Sequence, residues 1–466
     1  MINEGGNILN VHKFKQQGLN IVIDVNSGAI HVVDDVVYDI LNYFEDNNKE
    51  IIYEKLRDRY SVSEIDEGLS DINELIKEGL LFSKDVFQDA VKRNEEPSYI
   101  KALCLNIAHD CNLRCKYCFA SEGDYKGKRE LMSIEVAKRA IDFVINNSGP
   151  RKNIEVDLFG GEPLLNFETV KKVVEYGKTE GPKYGKDIRF TITTNATLLD
   201  DEKIKFINDN MVNVVLSIDG RKEINDKIRV RCDGSGSFDT ILPKIKKMVK
   251  SRTNGKQYYA RGTFTRENLD FYNDVIFLAD EGFKEISVEP VVLEDGNPLA
   301  LKEEDLPKIF DQYDKLTEEM IKRIKEGRGF KFYHFAIDIN GGPCIYKRIS
   351  GCGAGHEYVA VTPNGDIYPC HQFVGNDKFV MGNVFNEGLD KDIINTFKHG
   401  YVYNKPECMN CWARFYCSGG CQANNYNFNG DIRIPYHLGC EMMKKRIECA
   451  IALKIKTQDN VIKKEK

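Results

Sequence analysis

Residues 101–120 read KALCLNIAHDCNLRCKYCFA. The first nine, apolar apart from their ends and Asn106, predict a strand. The remainder is a loop in which Cys111, Cys115 and Cys118 are spaced C-x3-C-x2-C and followed by Phe119. Three thiolates on one short loop can hold three irons of a [4Fe–4S] cube and leave the fourth iron without a protein ligand. An open metal position is the mark of chemistry rather than scaffolding. The competing reading is a zinc knuckle built from the same three thiols and His109.

Downstream of this stretch, strand and helix patterns alternate. NIEVDLFGG (153–161), IRFTITTN (188–195), VNVVLSIDG (212–220), YYARGTFT (258–265) and EISVEPVV (285–292) read as strands, separated by helical segments such as 133–147, 166–178 and 200–210. With the first strand they make six βα units before the long amphipathic segment 303–326. Such alternation predicts α/β architecture with a parallel sheet, here a partial (β/α)6 barrel, and places functional groups at the carboxyl ends of the strands.

Those ends carry polar residues. The second closes in Gly160-Gly161-Glu162-Pro163, where glycine permits close backbone approach and the Glu and carbonyls suit an ammonium group. Asn195 ends the third strand, Ser217 the fourth and Glu289 the sixth. Strand-end capping is an equal reading for Asn195, Ser217 and Glu289. Arg229, in NDKIRVRCDGSGSF (225–238), offers a fork suited to a carboxylate.

The chain has 14 cysteines in 466 residues, and no basic-then-apolar segment opens it. Clustered thiols in a reducing compartment point to metal rather than disulfides. The C-terminal third holds Cys344, Cys352, Cys370, Cys408, Cys411, Cys417, Cys421 and Cys440. Seven of them, from Cys352 onward, exceed one four-coordinate metal and suit two clusters, with paired zinc sites as the alternative. Cys104, Cys232 and Cys449 lack ligand-like spacing and read as small buried apolar residues. A net charge of −6, from 66 basic and 72 acidic residues, argues against nucleic acid as a partner. No stretch approaches the length of a membrane span, so a cytoplasmic protein is expected.

Ahead of the barrel, GLNIVIDVNSGAIHVVDD (18–35) reads as two strands around Asn26-Ser27-Gly28. Helical patterns follow at 35–44, 50–60 and 61–82, with Gly79-Leu80-Leu81-Phe82 as a further short strand. The expected divisions are 1–95, 96–330, 331–455 and a tail at 456–466.

Several of these features carry a resemblance. C-x3-C-x2-C with the trailing Phe119, together with Gly160-Gly161-Glu162-Pro163, resembles the radical S-adenosylmethionine superfamily, whose cluster reductively cleaves its co-substrate to a 5′-deoxyadenosyl radical. The resemblance implies contacts to S-adenosylmethionine from Phe119, Gly160, Gly161, Glu162, Asn195, Ser217, Arg229 and Glu289. The C-terminal cysteines, in the order Cys352, Gly365-x4-Cys370, Cys408-x2-Cys411-x5-Cys417-x3-Cys421 and Cys440, resemble the SPASM extension, which carries two auxiliary [4Fe–4S] clusters, making three in all. By that resemblance Cys408, Cys411, Cys417 and Cys440 serve the outer cluster. Cys352, Cys370 and Cys421 serve the inner one, whose fourth position falls to Cys344 or to a substrate thiol.

Residues 1–95 resemble the winged-helix-like recognition element of enzymes that modify ribosomal peptides. With YPCHQFVG (368–375) and GPCIYKRISGCGAG (342–355), nearly the whole chain is similar to the maturases of six-cysteines-in-forty-five peptides, of the sactisynthase or ranthipeptide type. Thioether crosslinking of a Cys-rich precursor bound through its leader is implied, with His371 as a candidate base and an external flavodoxin- or ferredoxin-type electron donor. Two other readings compete. An anaerobic sulfatase maturase carries Asp directly after the Cys of the Gly-x4-Cys element, where this chain has His371-Gln372. An iron–sulfur electron carrier would have no use for the Gly-Gly-Glu-Pro turn.

Overall fold

The computed structural model describes residues 10–44, 48–88, 97–253, 255–339 and 345–462. Its first unit is a three-stranded antiparallel sheet, β1 (Val11–Gln16), β2 (Leu19–Asp24) and β3 (Ile30–Val33), followed by helices α1 (Asp35–Ile40), α2 (Lys49–Leu56) and α3 (Val62–Lys77). β1 and β2 are joined at Gln17-Gly18, both at positive φ, as a tight two-residue hairpin requires. The Asp24 carboxylate closes the next turn by accepting from the amide and hydroxyl of Ser27. Asp34 caps α1, and a Ser61–Glu64 capping box starts α3.

Two expectations for this unit fail. β1 was not anticipated, because two of its inward positions are polar: His12 stacks on Trp412 at 3.8 Å and Gln16 bonds Asp314 at 2.5 Å. Residues 80–82 do not form a strand. After α3 the chain reverses through Gly79 (φ +72), and Phe82 sits at φ +52, stacked on Phe44.

The second sheet is built on six parallel strands: β4 (Ala102–His109), β7 (Asn153–Gly160), β8 (Asp187–Thr194), β9 (Asn213–Ser217), β11 (Gln257–Phe264) and β12 (Glu285–Pro290). Between them lie the short β5 (Leu113–Cys115), β6 (Glu130–Leu131) and β10 (Arg229–Arg231). Helices at 134–147, 167–180, 201–210, 238–251 and 271–280 intervene, the first three as their patterns predicted. The sheet runs beyond the six strands at both edges. β13 (Lys331–Phe332) adds beside β12; β14 (Tyr358–Val361) adds parallel to β4, and β15 (Asp366–Tyr368) and β16 (Gly382–Asn383) continue antiparallel. The expected division at 330 therefore falls within one continuous sheet, and Val359, Val361 and Ile367 share a core with Leu103 and Leu105.

A shared apolar face joins the two ends of the chain. Phe14, Ile21, Ile23 and Val25 pack with Trp412, Ala413, Phe415, Ile447 and Ile451, the last two from the C-terminal helix His437–Ile462. Each such buried side chain contributes about 1.5–3 kcal/mol, so the first unit is structurally part of the whole. Cys104 and Cys449 are buried as expected, but Cys232 is exposed, because the turn after β10 carries it outward. Among the described residues no helix is long and apolar enough to cross a membrane.

Ile21, fully buried in the shared face, should cost about 2–5 kcal/mol on truncation to Ala. Calorimetry should show a clear fall in Tm for Ile21→Ala and none for Val32→Ala, whose side chain is 51% exposed.

Candidate active site

β4 delivers the cysteine loop to the carboxyl edge of the sheet, and the antiparallel β5–β10 ribbon places Arg229 directly opposite Cys115. The three thiols of the loop line one cavity of about 410 Å³. Phe119, Gly160, Gly161, Asn195, Ser217, Arg229, Glu289 and His371 line the same cavity. Burial, reinforced by the Glu162 charge, pushes the Cys111 thiol up to about 12, and burial brings Cys115 to about 11 against the pull of Arg229.

The two glycines serve the protein's own backbone. A Cβ on Gly160 (φ +125) would lie 2.3 Å from the Ala108 carbonyl oxygen, and one on Gly161 would lie 2.1 Å from that of Asp110. A side chain at Gly160 would push β7 away from the end of β4, and one at Gly161 would push the cysteine loop off the end of β7.

Glu162, expected as a contact to S-adenosylmethionine, is fully buried and lies behind the residues that line the cavity. Its carboxylate accepts from the amides of Leu164 and Asn195 and from the Thr194 hydroxyl, at 2.7–3.1 Å. Burial pushes it up to about 7. It fixes the end of β8, and through it Asn195, whose side chain reaches Asn112 and approaches the Cys111 sulfur at 3.7 Å.

Arg229 is held by Tyr117, to whose hydroxyl its Nη1 donates at 2.7 Å, while that hydroxyl bridges both Asp219 oxygens. Its Nε is buried without a partner among the described residues. A cationic N–H left open beside the cavity suits an incoming carboxylate. Glu289 is paired instead with Arg261, which donates to both its oxygens at 3.2 and 2.8 Å.

His371 packs between Phe119 and Phe159 and exchanges a hydrogen bond with the Tyr358 hydroxyl at 3.0 Å. Burial, then Arg261, lowers it to about 4, so the imidazole is neutral near pH 7. Asp157, on β7 within the same cavity, was missed by sequence reasoning. It is the second acidic residue of the alternating run E-V-D-L-F, its Oδ1 has no partner among the described residues, and burial raises it to about 7.

His109 bonds Asn106 and stacks on Tyr125, and it does not line the cavity. The zinc-knuckle reading thereby loses its fourth ligand.

The C-terminal thiols fall into two groups. Cys408, Cys411, Cys417 and Cys440 surround a small cavity of about 20 Å³. Cys352, Cys370 and Cys421 are close enough that each of the first and last opposes ionisation of Cys370. Cys344 lies outside the described residues. All-thiol donor sets fit iron–sulfur clusters.

Comparison with known families agrees with this geometry. Residues 105–268 match the radical SAM superfamily, and residues 352–412 match SPASM, an iron-sulfur cluster-binding domain. The chain is a radical SAM protein with a SPASM domain. It is 25% identical over 443 residues to the radical SAM cyclopropyl synthase TigE of Paramaledivibacter caminithermalis, covering 90% of this chain and 89% of that one. It is also 25% identical to the cysteine-type anaerobic sulfatase-maturating enzyme of Clostridium novyi, covering 68% and 86%. Among solved structures, native anSMEcpe with bound AdoMet and Cp18Cys peptide superposes with a TM-score of 0.63 at 24% identity, covering 78% of this chain and all of that one. The fold of the radical SAM–SPASM core is therefore shared. The SPASM match ends at Trp412, so Cys417, Cys421 and Cys440 enter their groups through the structure.

Gly161→Ala tests the close approach. The clash is with backbone, which cannot swing aside, and overpacking of this kind costs about 1–3 kcal/mol. The variant should show a lowered Tm and, after anaerobic loading with iron and sulfide, fewer irons per chain than the parent.

Proposed function

We propose that this protein is a peptide maturase that forms thioether crosslinks between cysteine sulfur and carbon in a ribosomally made, Cys-rich precursor. The observation that carries the reading is a single cavity lined by the initiating thiols, Arg229 and His371, in a chain whose first sheet ends in the edge strand β3. The relatives' names, a cyclopropyl synthase and a sulfatase maturase, support a radical-dependent modification and leave the product to experiment.

In this reading Cys111, Cys115 and Cys118 hold the first of three [4Fe–4S] clusters. Bound there, the cluster supplies the electron that cleaves S-adenosylmethionine and so the radical that removes hydrogen from the acceptor carbon. Arg229 takes the methionine carboxylate. The carbonyls of the Gly160–Gly161 turn receive the ammonium group. Asn195 and Ser217 orient the ribose, with Phe119 beside the base. Glu162 and Glu289 act one step back, through Asn195 and Arg261. Cys408, Cys411, Cys417 and Cys440 hold the outer auxiliary cluster, and Cys352, Cys370 and Cys421 the inner one, with Cys344 or a substrate thiol completing it. His371, neutral and clamped by two aromatic rings, orients the substrate thiol and offers an acceptor for its proton. A flavodoxin- or ferredoxin-type donor supplies electrons.

The precursor leader adds as a strand to β3, the edge of the first sheet. A groove of about 420 Å³ runs beside it, lined by Gly28, Ile30, Val32, Leu80, Ile339 and Ile455. The functional units are 1–95 for recognition, 96–330 for radical formation and 331–455 for the auxiliary clusters. Removing residues 1–95 outright would strip the shared apolar face, so a point test is cleaner. Along an edge strand, successive N–H groups alternate between partner and open side, so one of His31→Pro and Val32→Pro removes only an outward donor.

That variant should lose leader-dependent crosslinking, read as two hydrogens lost per crosslink by mass spectrometry, while still releasing 5′-deoxyadenosine from S-adenosylmethionine and dithionite. Cys111→Ala should release none. A carbonyl appearing at Cys or Ser would instead assign a formylglycine-generating enzyme, and no 5′-deoxyadenosine from the parent would leave the electron-carrier reading.

Arg229→Lys keeps the charge and loses the fork. A hydrogen bond to a charged group is worth about 1.5–3 kcal/mol, so S-adenosylmethionine should bind at least about tenfold more weakly by equilibrium dialysis.

A further inference from the structure

Lys405 is buried with none of its surface exposed. Among the described residues its ammonium makes one hydrogen bond, 2.6 Å to the carbonyl oxygen of Gly419. Gly419 lies midway between Cys417 of the outer thiol group and Cys421 of the inner one, in the run Ser418-Gly419-Gly420, all three at positive φ. A Cβ on Gly419 would meet the Lys405 side chain at 3.1 Å, so the glycine makes room for the lysine. Lys405 also anchors the outer loop from below, its carbonyl accepting from the amides of Cys408 and Met409.

A buried ammonium with a single neutral acceptor is several kcal/mol out of balance unless negative charge lies close by. Burial disfavours its charge most, and the groups that oppose this are Cys408 and Cys417 from the outer thiol group and Cys421 and Cys352 from the inner one. Asp431 senses Lys405 last among its neighbours and is itself paired with Arg433 at 2.6 Å. Neutral thiols would leave the ammonium uncompensated. Thiolates bound to iron would compensate it from both sides.

We propose that the Lys405 ammonium is the shared counter-ion of the two auxiliary iron–sulfur sites and raises the reduction potential of both. The inference rests on the reading that both thiol groups hold clusters. A positive charge fixed in a low-dielectric interior favours the reduced, more negative cluster, and its position between the groups applies that bias to both.

The test uses full-length protein in which Cys111, Cys115 and Cys118 are all replaced by Ala, so that only auxiliary clusters report. Iron and sulfide are counted after anaerobic loading, and each cluster's midpoint potential is read by EPR-monitored redox titration. Lys405→Met should retain iron and lower both midpoints, with at least a tenfold fall in the reduced fraction at fixed potential, or about 59 mV for a one-electron couple. Lys405→Arg should keep both near the parent. Iron lost from Lys405→Met but kept by Lys405→Arg also supports a counter-ion. Equal loss from both variants would mark a packing role and overturn it, as would full iron with unchanged midpoints, or with a shift at one cluster alone. A parent without auxiliary iron sinks the cluster reading itself, and the counter-ion with it.

Discussion

Backbone meets backbone where Gly161 lies against Asp110, and the arrangement of the candidate site follows from that contact. The end of β7 can approach the loop after β4 only because no Cβ intervenes at Gly160 or Gly161. Once seated, the loop places Cys111 beside Asn195, and the β5–β10 ribbon sets Arg229 opposite Cys115. Glu162 then locks the end of β8 from behind with three hydrogen bonds. A steric rule for glycine thus becomes an alignment of three strand ends around one cavity.

A second constraint ties the ends of the chain together. The three-stranded sheet has α1–α3 on one face and the C-terminal region on the other. The contact is specific as well as apolar: His12 stacks on Trp412 and bonds Glu448, while buried Arg414 reaches Asn26 at 2.5 Å. Trp412 follows Cys411 directly in sequence. A sheet that receives a leader strand would therefore be mechanically continuous with the outer thiol group, and peptide capture and cluster environment would share one core.

Much of this was legible in the sequence because the signals were local. The six strands of the barrel alternate with amphipathic helices at ordinary lengths, and C-x3-C-x2-C with Gly160-Gly161 placed the cavity on the correct strand ends. What escaped depended on partners far along the chain. β1 hides two polar inward residues whose partners, Asp314, Trp412 and Glu448, lie some three to four hundred positions away. The role of Glu162 depends on Asn195, which no motif couples to it. Asp157 could have been found as the acid nearest the carboxyl end of its strand, three residues before the glycines. Lys405 could not, since a lysine beside a cysteine motif reads as surface until its burial is known.

The charges inside the molecule follow one pattern, and it separates two kinds of chemistry. In the cavity, cations have fixed anionic partners: Arg261 has Glu289, and Arg229 reaches Asp219 through Tyr117. Among the described residues, buried Nε of Arg229 and buried Oδ1 of Asp157 are left without partners, one donor and one acceptor. Such a cavity suits a zwitterionic ligand and a neutral substrate that arrive together and leave again. Around the C-terminal thiols the balance is different, because among the described residues Lys405 has no carboxylate ion pair and the charges that favour its ammonium are those of cysteines. On the proposed reading, thiolates bound to iron would complete that interior, so that the barrel would serve molecules that turn over and the C-terminal region would keep its cofactors.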